Sequence, residues 1–229
     1  MIKKKLAQNI ALFIALLFHV CGLIGILFTS YKDWFIQNTP VNLLVMAILI
    51  VITHPKKNKQ FIFFLLVAFL IGFTSEVIGV NTGILFGHYT YGNILGLKFF
   101  NVPLIIGLNW FIIIYCAGMI TQSYENYMLN KLAEKGLGIS RRMMITSFIV
   151  DAGLLVLLFD WIMEPVALKL GFWQWQHNSI PMLNYVCWVI ISVLLLAIFR
   201  KLDQNSRNIF AVHLFIIQLL FFLVLRTFL

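Results

Sequence analysis

The sequence predicts an all-α integral membrane protein of about seven transmembrane helices, with a cytoplasmic N-terminus and a parallel internal repeat in helices 3–4 and 5–6. Three observations lead there. Of 229 residues, 62% are hydrophobic and 11% are charged, whereas a soluble domain carries about 25% charged residues. A chain this apolar covers its surface only if its solvent is lipid. The apolar residues fall in runs of about 20, the length a helix needs to cross the hydrocarbon core. Lys and Arg gather in every second break between those runs.

Taken in order, helix 1 is expected over Ile10 to Phe28. The lysines ahead of it resemble the start of a signal peptide. The apolar run is longer than a signal core, however, and no small-x-small cleavage site follows, so it reads as an uncleaved span. Helix 2 ends at Thr53 and starts between Trp34 and Val41, with Pro40 blurring the start. Helix 3 is Phe61 to about Val80, helix 4 Pro103 to Gln122, helix 5 Arg142 to about Val166, helix 6 Pro181 to Ala197 and helix 7 Asn208 to about Arg226. With the N-terminus inside, inner segments hold 13 of the 17 Lys and Arg residues and outer segments hold Lys32, Lys98, Lys169 and Arg226.

No Pro-, Gly- or Ser-rich linker divides residues 1–229, so one polytopic domain is expected. The net charge of +9 does not indicate nucleic acid, because the cations lie in short loops where they set orientation and meet anionic head groups. Cys21, Cys116 and Cys187 are scattered through apolar runs, without disulfide or metal spacing. They read as small buried apolar residues.

Two stretches match. One runs Glu76-Val77-Ile78-Gly79, Gly87-His88-Tyr89-Thr90-Tyr91, Asn101-Val102-Pro103 and Trp110. The other runs Glu164-Pro165-Val166-Ala167, Gly171-Phe172-Trp173-Gln174-Trp175, Ser179-Ile180-Pro181 and Trp188. Each places a carboxylate at the outer end of a helix, then Gly-x-aromatic-x-aromatic, then a Pro with a Trp seven residues on. The prolines suit helix starts, and Asn101 and Ser179 suit caps. The repeat units are expected over about 61–122 and 142–200, in the same orientation, sharing one outer site.

Glu76, Asp151, Asp160 and Glu164 lie in expected spans, where an ionised side chain costs about 2.5–3.5 kcal/mol. Interhelical packing would be the plain explanation for each. Asp160 and Glu164, at i and i+4, share a helix face, and the repeat brings Glu76 to the same depth. Carboxyl groups crowded in a dry pocket cannot all ionise. A protonated one beside an ionised one is a general acid beside a general base. Asp151 lies about 13 Å deeper and is expected to pair with His19. The aromatic pairs Tyr89, Tyr91, Trp173 and Trp175 could be an interfacial belt. Their shared spacing beside a carboxylate points instead to substrate binding, together with Trp110, Trp188 and Asn109. Interhelical glue is the plain alternative for Asn109 and the reading for Asn184. His88 and His177 have no metal-ligand spacing, and no phosphate loop, nucleophile elbow or Asp-rich diphosphate motif is present, so neither metal nor cofactor is expected.

At these residues the sequence resembles the carotenoid biosynthesis membrane family, which includes the carotenoid 1,2-hydratases of the bisanhydrobacterioruberin hydratase kind. Glu76 through Gly79, Thr82-Gly83, Phe86-Gly87, Tyr89, Tyr91, Pro103 and Trp110 look like its first signature. Asp160, Glu164-Pro165-Val166-Ala167, Gly171, Trp173, Trp175 and Pro181 look like its second. The resemblance covers about residues 60–200. It implies a hydro-lyase of a prokaryotic plasma membrane that adds water to the terminal carbon-1/carbon-2 double bond of an acyclic carotenoid such as lycopene, γ-carotene or a bacterioruberin precursor. The chemistry then assigns Asp160 or Glu164 as acid and Glu76 as base. A carotenoid end-group cyclase and a non-enzymatic carrier or proton relay are the competing readings.

Overall fold

The computed structural model describes residues 2–202 and 207–229, with Ile2 and Lys3 described in backbone only. The side chain of Lys3, counted above among the inner cations, therefore lies outside the described residues. The helices are α1 (Ile2–Phe28), α2 (Lys32–Gln37), α3 (Thr39–Thr53), α4 (Lys59–Thr82), α5 (Ile105–Glu134), α6 (Arg141–Lys169), α7 (Met182–Leu202) and α8 (Ile209–Phe228). Between them lie the short strands β1 (Tyr89–Tyr91), β2 (Lys98–Phe99), β3 (Val102–Pro103) and β4 (Trp173–Trp175). Six helices, all but α2 and α3, are long and apolar enough to cross a membrane. The chain is a multi-pass membrane protein.

The helix expected second differs most. It is split into α2 and α3, and α3 has only 15 residues, about 22 Å of helix against a core of about 30 Å. Pro40, in the first turn of α3, has no N–H to give and crowds the carbonyl four residues back. That carbonyl belongs to Ile36 and is taken instead by the Thr39 hydroxyl at 2.7 Å. Helix α5 runs on to Glu134, twelve residues past the expected end at Gln122. Its start also differs: Pro103 lies in β3 and the helix begins at Ile105.

Helix α5 is the centre of the bundle. It packs on α3, α4, α6, α7 and α8, while α1 lies outside against α8. The run Ile112 to Ala117 is almost wholly buried, which is why its apolar residues show no lipid-facing stripe. Elsewhere large apolar side chains such as Phe13, Leu70, Leu154 and Ile190 are exposed, as lipid-facing positions are.

Three local expectations are overturned. Asp151 and His19 do not pair. Asp151 is exposed, and His19 is buried against α8, with Nδ1 on the Ala15 carbonyl at 2.7 Å and its ring edge-on to Phe221. Similar depth put the two residues level, but they lie on helices that do not pack together. Cys21 is exposed, whereas Cys116 and Cys187 are buried as expected; all three are free. Asn101 caps no helix: it sits at φ 67° and donates to Asn81 Oδ1 at 2.9 Å, tying the β2–β3 turn to the end of α4.

Candidate functional site

The site is assembled where α4 and α6 end and α5 and α7 begin. Glu76 lies on the last two turns of α4. From Gly79 the chain must double back tightly: a Cβ there would meet Phe86 at 2.7 Å and the Tyr89 hydroxyl at 3.0 Å. The absence of a side chain lets the loop return over the helix end and deliver β1. On the other side Glu164 lies near the end of α6, and the chain turns back to deliver β4.

The two returning segments pair with each other. Strand β1 runs antiparallel to β4, with Tyr89 opposite Trp175, Thr90 opposite Gln174 and Tyr91 opposite Trp173. Alternation along a strand sends Thr90 and Gln174 outward and buries the four rings. The spacing aromatic-x-aromatic therefore has a plain purpose: it aims both rings of each strand at the helix ends below. Tyr89 packs on Trp175 at 4.9 Å between centroids and Tyr91 on Trp173 at 5.8 Å. Beneath them Trp110 and Trp188 stack at 3.9 Å, 14° from parallel. A Cβ on Gly72 would collide with Trp110, so that glycine makes the room the indole occupies.

Each glutamate is held by these rings. Glu76 Oε2 accepts from the Tyr89 hydroxyl and from the Tyr91 hydroxyl at 2.8 Å, and Oε1 accepts from Trp110 Nε1 at 3.0 Å. Glu164 Oε2 accepts from Trp173 Nε1 at 3.0 Å and Trp175 Nε1 at 3.2 Å. Asn184 Nδ2 bridges Glu164 Oε1 at 3.3 Å and Asp160 Oδ2 at 3.1 Å. The other oxygen of Asp160 is buried without a partner among the described residues. The three carboxyl groups are 5%, 0% and 2% exposed for Glu76, Asp160 and Glu164. Among the described residues no Lys or Arg forms an ion pair with any of them; the ion pair present joins Arg200 to Glu125 at the opposite end. Burial first, and the neighbouring Glu76 carboxylate second, hold the Tyr89 phenol well above its ordinary range; the same holds for Tyr91. Both remain hydrogen-bond donors.

Glu76 and Glu164 face one small cavity, lined also by Tyr89, Tyr91, Asn109, Trp110, Trp173 and Trp188. About 20 Å³ of it is open to the centre of a water molecule, room for one water. Of the residues singled out in the sequence, Asp160 and Trp175 do not line it. Asp160 sits one turn behind Glu164, and Trp175 acts from above through its bond to Glu164. Asn109 lines the cavity and makes no hydrogen bond to the described residues. Ile106 and Met163 also line it and carried no signal, being apolar residues within apolar spans. Asn184 was seen only as glue; its role in holding two carboxyl groups depends on partners that spacing alone does not identify. His88 and His177 join no cluster: among the described residues no three His, Cys, Asp or Glu side chains are grouped to hold a metal.

Three buried carboxyl groups ringed by aromatic side chains and closed over by two paired strands, at one end of a bundle of membrane-length helices, define the class: a polytopic membrane protein with an enclosed acidic pocket. A family model described as carotenoid biosynthesis protein matches residues 38–229. The chain belongs to that family, and its role lies in carotenoid biosynthesis. No curated protein and no solved structure matches the chain. The family match begins after α1 and α2 and contains every residue of the site.

Proposed function

We propose that the protein is a carotenoid hydratase of a prokaryotic plasma membrane. It adds water to the terminal carbon-1/carbon-2 double bond of an acyclic carotenoid end, and two internally related halves supply the acid and the base. The observation that carries this reading is that Glu76 and Glu164, from the two matching stretches, face one water-sized cavity walled by aromatic rings.

Glu164 is the acid. Its proton passes to carbon-2, the double bond's electron pair forms the new C–H bond, and a tertiary cation is left at carbon-1. Trp110, Trp173 and Trp188 line the cavity, and aromatic rings stabilise such a cation by about 2 kcal/mol or more where water is excluded. Water attacks carbon-1, and the proton it releases goes to Glu76. Asn109, the unpaired amide of the cavity, suits the holding of that water. The net change is one alkene and one water converted to one tertiary alcohol. Glu164 has lost a proton and Glu76 has gained one; the Tyr89 and Tyr91 hydroxyls give the Glu76 proton an outlet, and a water in the cavity that both glutamates line returns one to Glu164. Asp160 supports Glu164 through Asn184 and does not touch substrate. A cavity that holds one water does not hold an isoprenoid end group, so binding requires the β1–β4 rings to move away from the helix ends.

The test is expression in hosts that make lycopene or γ-carotene, with product masses taken for the wild type and for Glu76→Gln, Asp160→Asn and Glu164→Gln. The wild type is expected to yield products heavier by one water per reacted end, and the glutamate variants, recovered as folded membrane protein, to yield none. Products of unchanged mass would mean a cyclase or isomerase, which shares the cation but loses a proton instead of gaining water. Full activity in all three variants would remove the mechanism.

A further inference from the structure

At the end of the bundle opposite the site, α6 begins and α7 finishes side by side, and a groove of about 530 Å³ lies between them. Arg141, Arg200 and Lys201 form its rim, and Ile145, Ile149 and Ala197 form its wall. The three cations are not equivalent. Arg200 is committed: its two terminal nitrogens lie on the Glu125 carboxylate at 2.6 and 2.8 Å, and its guanidinium lies 4.8 Å from the centre of the Phe148 ring. Its charge is neutralised and its position fixed. Arg141 and Lys201 are exposed and pair with no carboxylate among the described residues.

Lys201 is well placed without any ligand, since a cation in the last turn of α7 complements the negative end of the helix dipole. Arg141 is not. It is the first residue of α6, where the dipole is positive and where free N–H groups already concentrate positive charge. Ser140 satisfies only the Met143 N–H, at 3.3 Å, and no acidic residue stands in that first turn. A helix start with an arginine and no anion is electrostatically incomplete. The groove joins cations to apolar side chains. Ile145, Ile149 and the small Ala197 give the groove an apolar wall beside its charged rim.

We propose that this groove binds an anionic phospholipid, with its phosphate between Arg141 and Lys201 and an acyl chain along Ile145, Ile149 and Ala197. A free phosphate would use the rim and leave the wall uncovered. The proposal is independent of the reaction at the other end, and its variants lie outside the catalytic residues.

The full-length protein is purified in detergent. Retention of phosphatidylglycerol and of phosphatidylcholine is measured by native mass spectrometry, with inorganic phosphate as a third probe. Phosphatidylglycerol is expected to be retained in preference. Each cation removed, in Arg141→Gln and Lys201→Gln, should weaken it about fivefold, the usual contribution of one Lys or Arg meeting an anionic lipid. Arg142→Gln, which removes a charge beside the groove but not from its lining, should weaken it less than twofold. Ala197→Phe, which crowds the apolar wall and leaves the charges, should abolish retention. Equal retention of the two lipids overturns the proposal, as does an Arg142→Gln loss equal to that of Arg141→Gln. Inorganic phosphate that binds wild type and Ala197→Phe alike and displaces the lipid would show a free-anion site and overturn the lipid assignment.

Discussion

Glu76 and Glu164 each accept three hydrogen bonds inside the same pocket, and they differ in what their donors can do. Two of the three donors on Glu76 are phenols, and a hydroxyl both gives and accepts a proton. The donors on Glu164 are the N–H groups of two indoles and an amide, and an N–H only gives. The ground beneath them differs as well. One turn before Glu164 stands Asp160, joined to it through Asn184. One turn before Glu76 stands Gly72, and Trp110 fills the space. The residue after Glu164 is Pro165, whose missing N–H leaves the Trp161 carbonyl free. Arg226 donates to that carbonyl at 2.7 Å, with its guanidinium 4.0 Å from the centre of the Trp161 ring. One glutamate thus has an outlet through hydroxyls, and the other has a second carboxyl behind it and a braced helix end. A base that must release a proton suits the first cradle, and an acid that must be kept supplied suits the second.

The largest expected effect follows from that assignment. Glu164→Gln and Glu76→Gln should each lower alcohol formation by about 10²–10⁴-fold, the usual contribution of a positioned acid or base. They should differ in a partial reaction. In heavy water, an enzyme that keeps its acid can protonate carbon-2 and reverse, leaving deuterium in unreacted substrate. Exchange is expected with Glu76→Gln and not with Glu164→Gln. The reverse pattern would exchange the roles of the two cradles, and loss of exchange in both would mean that neither acts alone.

How much of this was legible depends on the kind of residue. An ionisable side chain within an apolar run stands out whatever surrounds it, so Glu76, Asp160 and Glu164 were visible as a group. The shared aromatic-x-aromatic spacing was visible too, and those two segments are the ones that pair as β1 and β4. The starts expected at Phe61, Arg142 and Asn208 lie within two residues of those of α4, α6 and α8. Other features depended on partners. Asn184 and Asn109 looked alike in sequence, yet one bonds two carboxyl groups and the other none. Asp151 has the right depth for His19, but depth does not say which helices touch. Pro40 signalled a difficult start, and only the backbone shows that it divides one apolar run into two helices. Ile106 and Met163 could not be distinguished from the apolar residues around them.

A smaller effect sharpens the asymmetry between the two amides. Asn184→Leu leaves buried acceptors on Asp160 and Glu164 without their donor, and an orphaned buried acceptor costs about 1–3 kcal/mol. Asn109→Leu removes no hydrogen bond to the described residues and should cost less than about 1 kcal/mol. Thermal unfolding in detergent should therefore separate the two variants clearly, although both are amides facing the same region. Equal losses would mean that the Asn184 bridge is not what holds the second cradle together.

The last effect is the most selective, because only one cradle contains groups that titrate in the alkaline range. Tyr89 and Tyr91 have phenols held well above their ordinary value, by burial first and by the Glu76 carboxylate second. In the unfolded chain a tyrosine ionises at about pH 10. A group whose folded value is the higher one contributes stability that is fully present below the unfolded value and lost as pH rises towards the folded one. The protein should therefore lose thermal stability as pH is raised past about 10. Tyr89→Phe with Tyr91→Phe should flatten that loss, while lowering stability at neutral pH through the hydrogen bonds removed from Glu76. Trp173→Phe with Trp175→Phe removes two donors from Glu164 and no titrating group, so the alkaline loss should remain intact. If the two double variants gave the same pH profile, the alkaline sensitivity would lie outside the site, and the phenols could not be credited with the proton outlet that sets Glu76 apart.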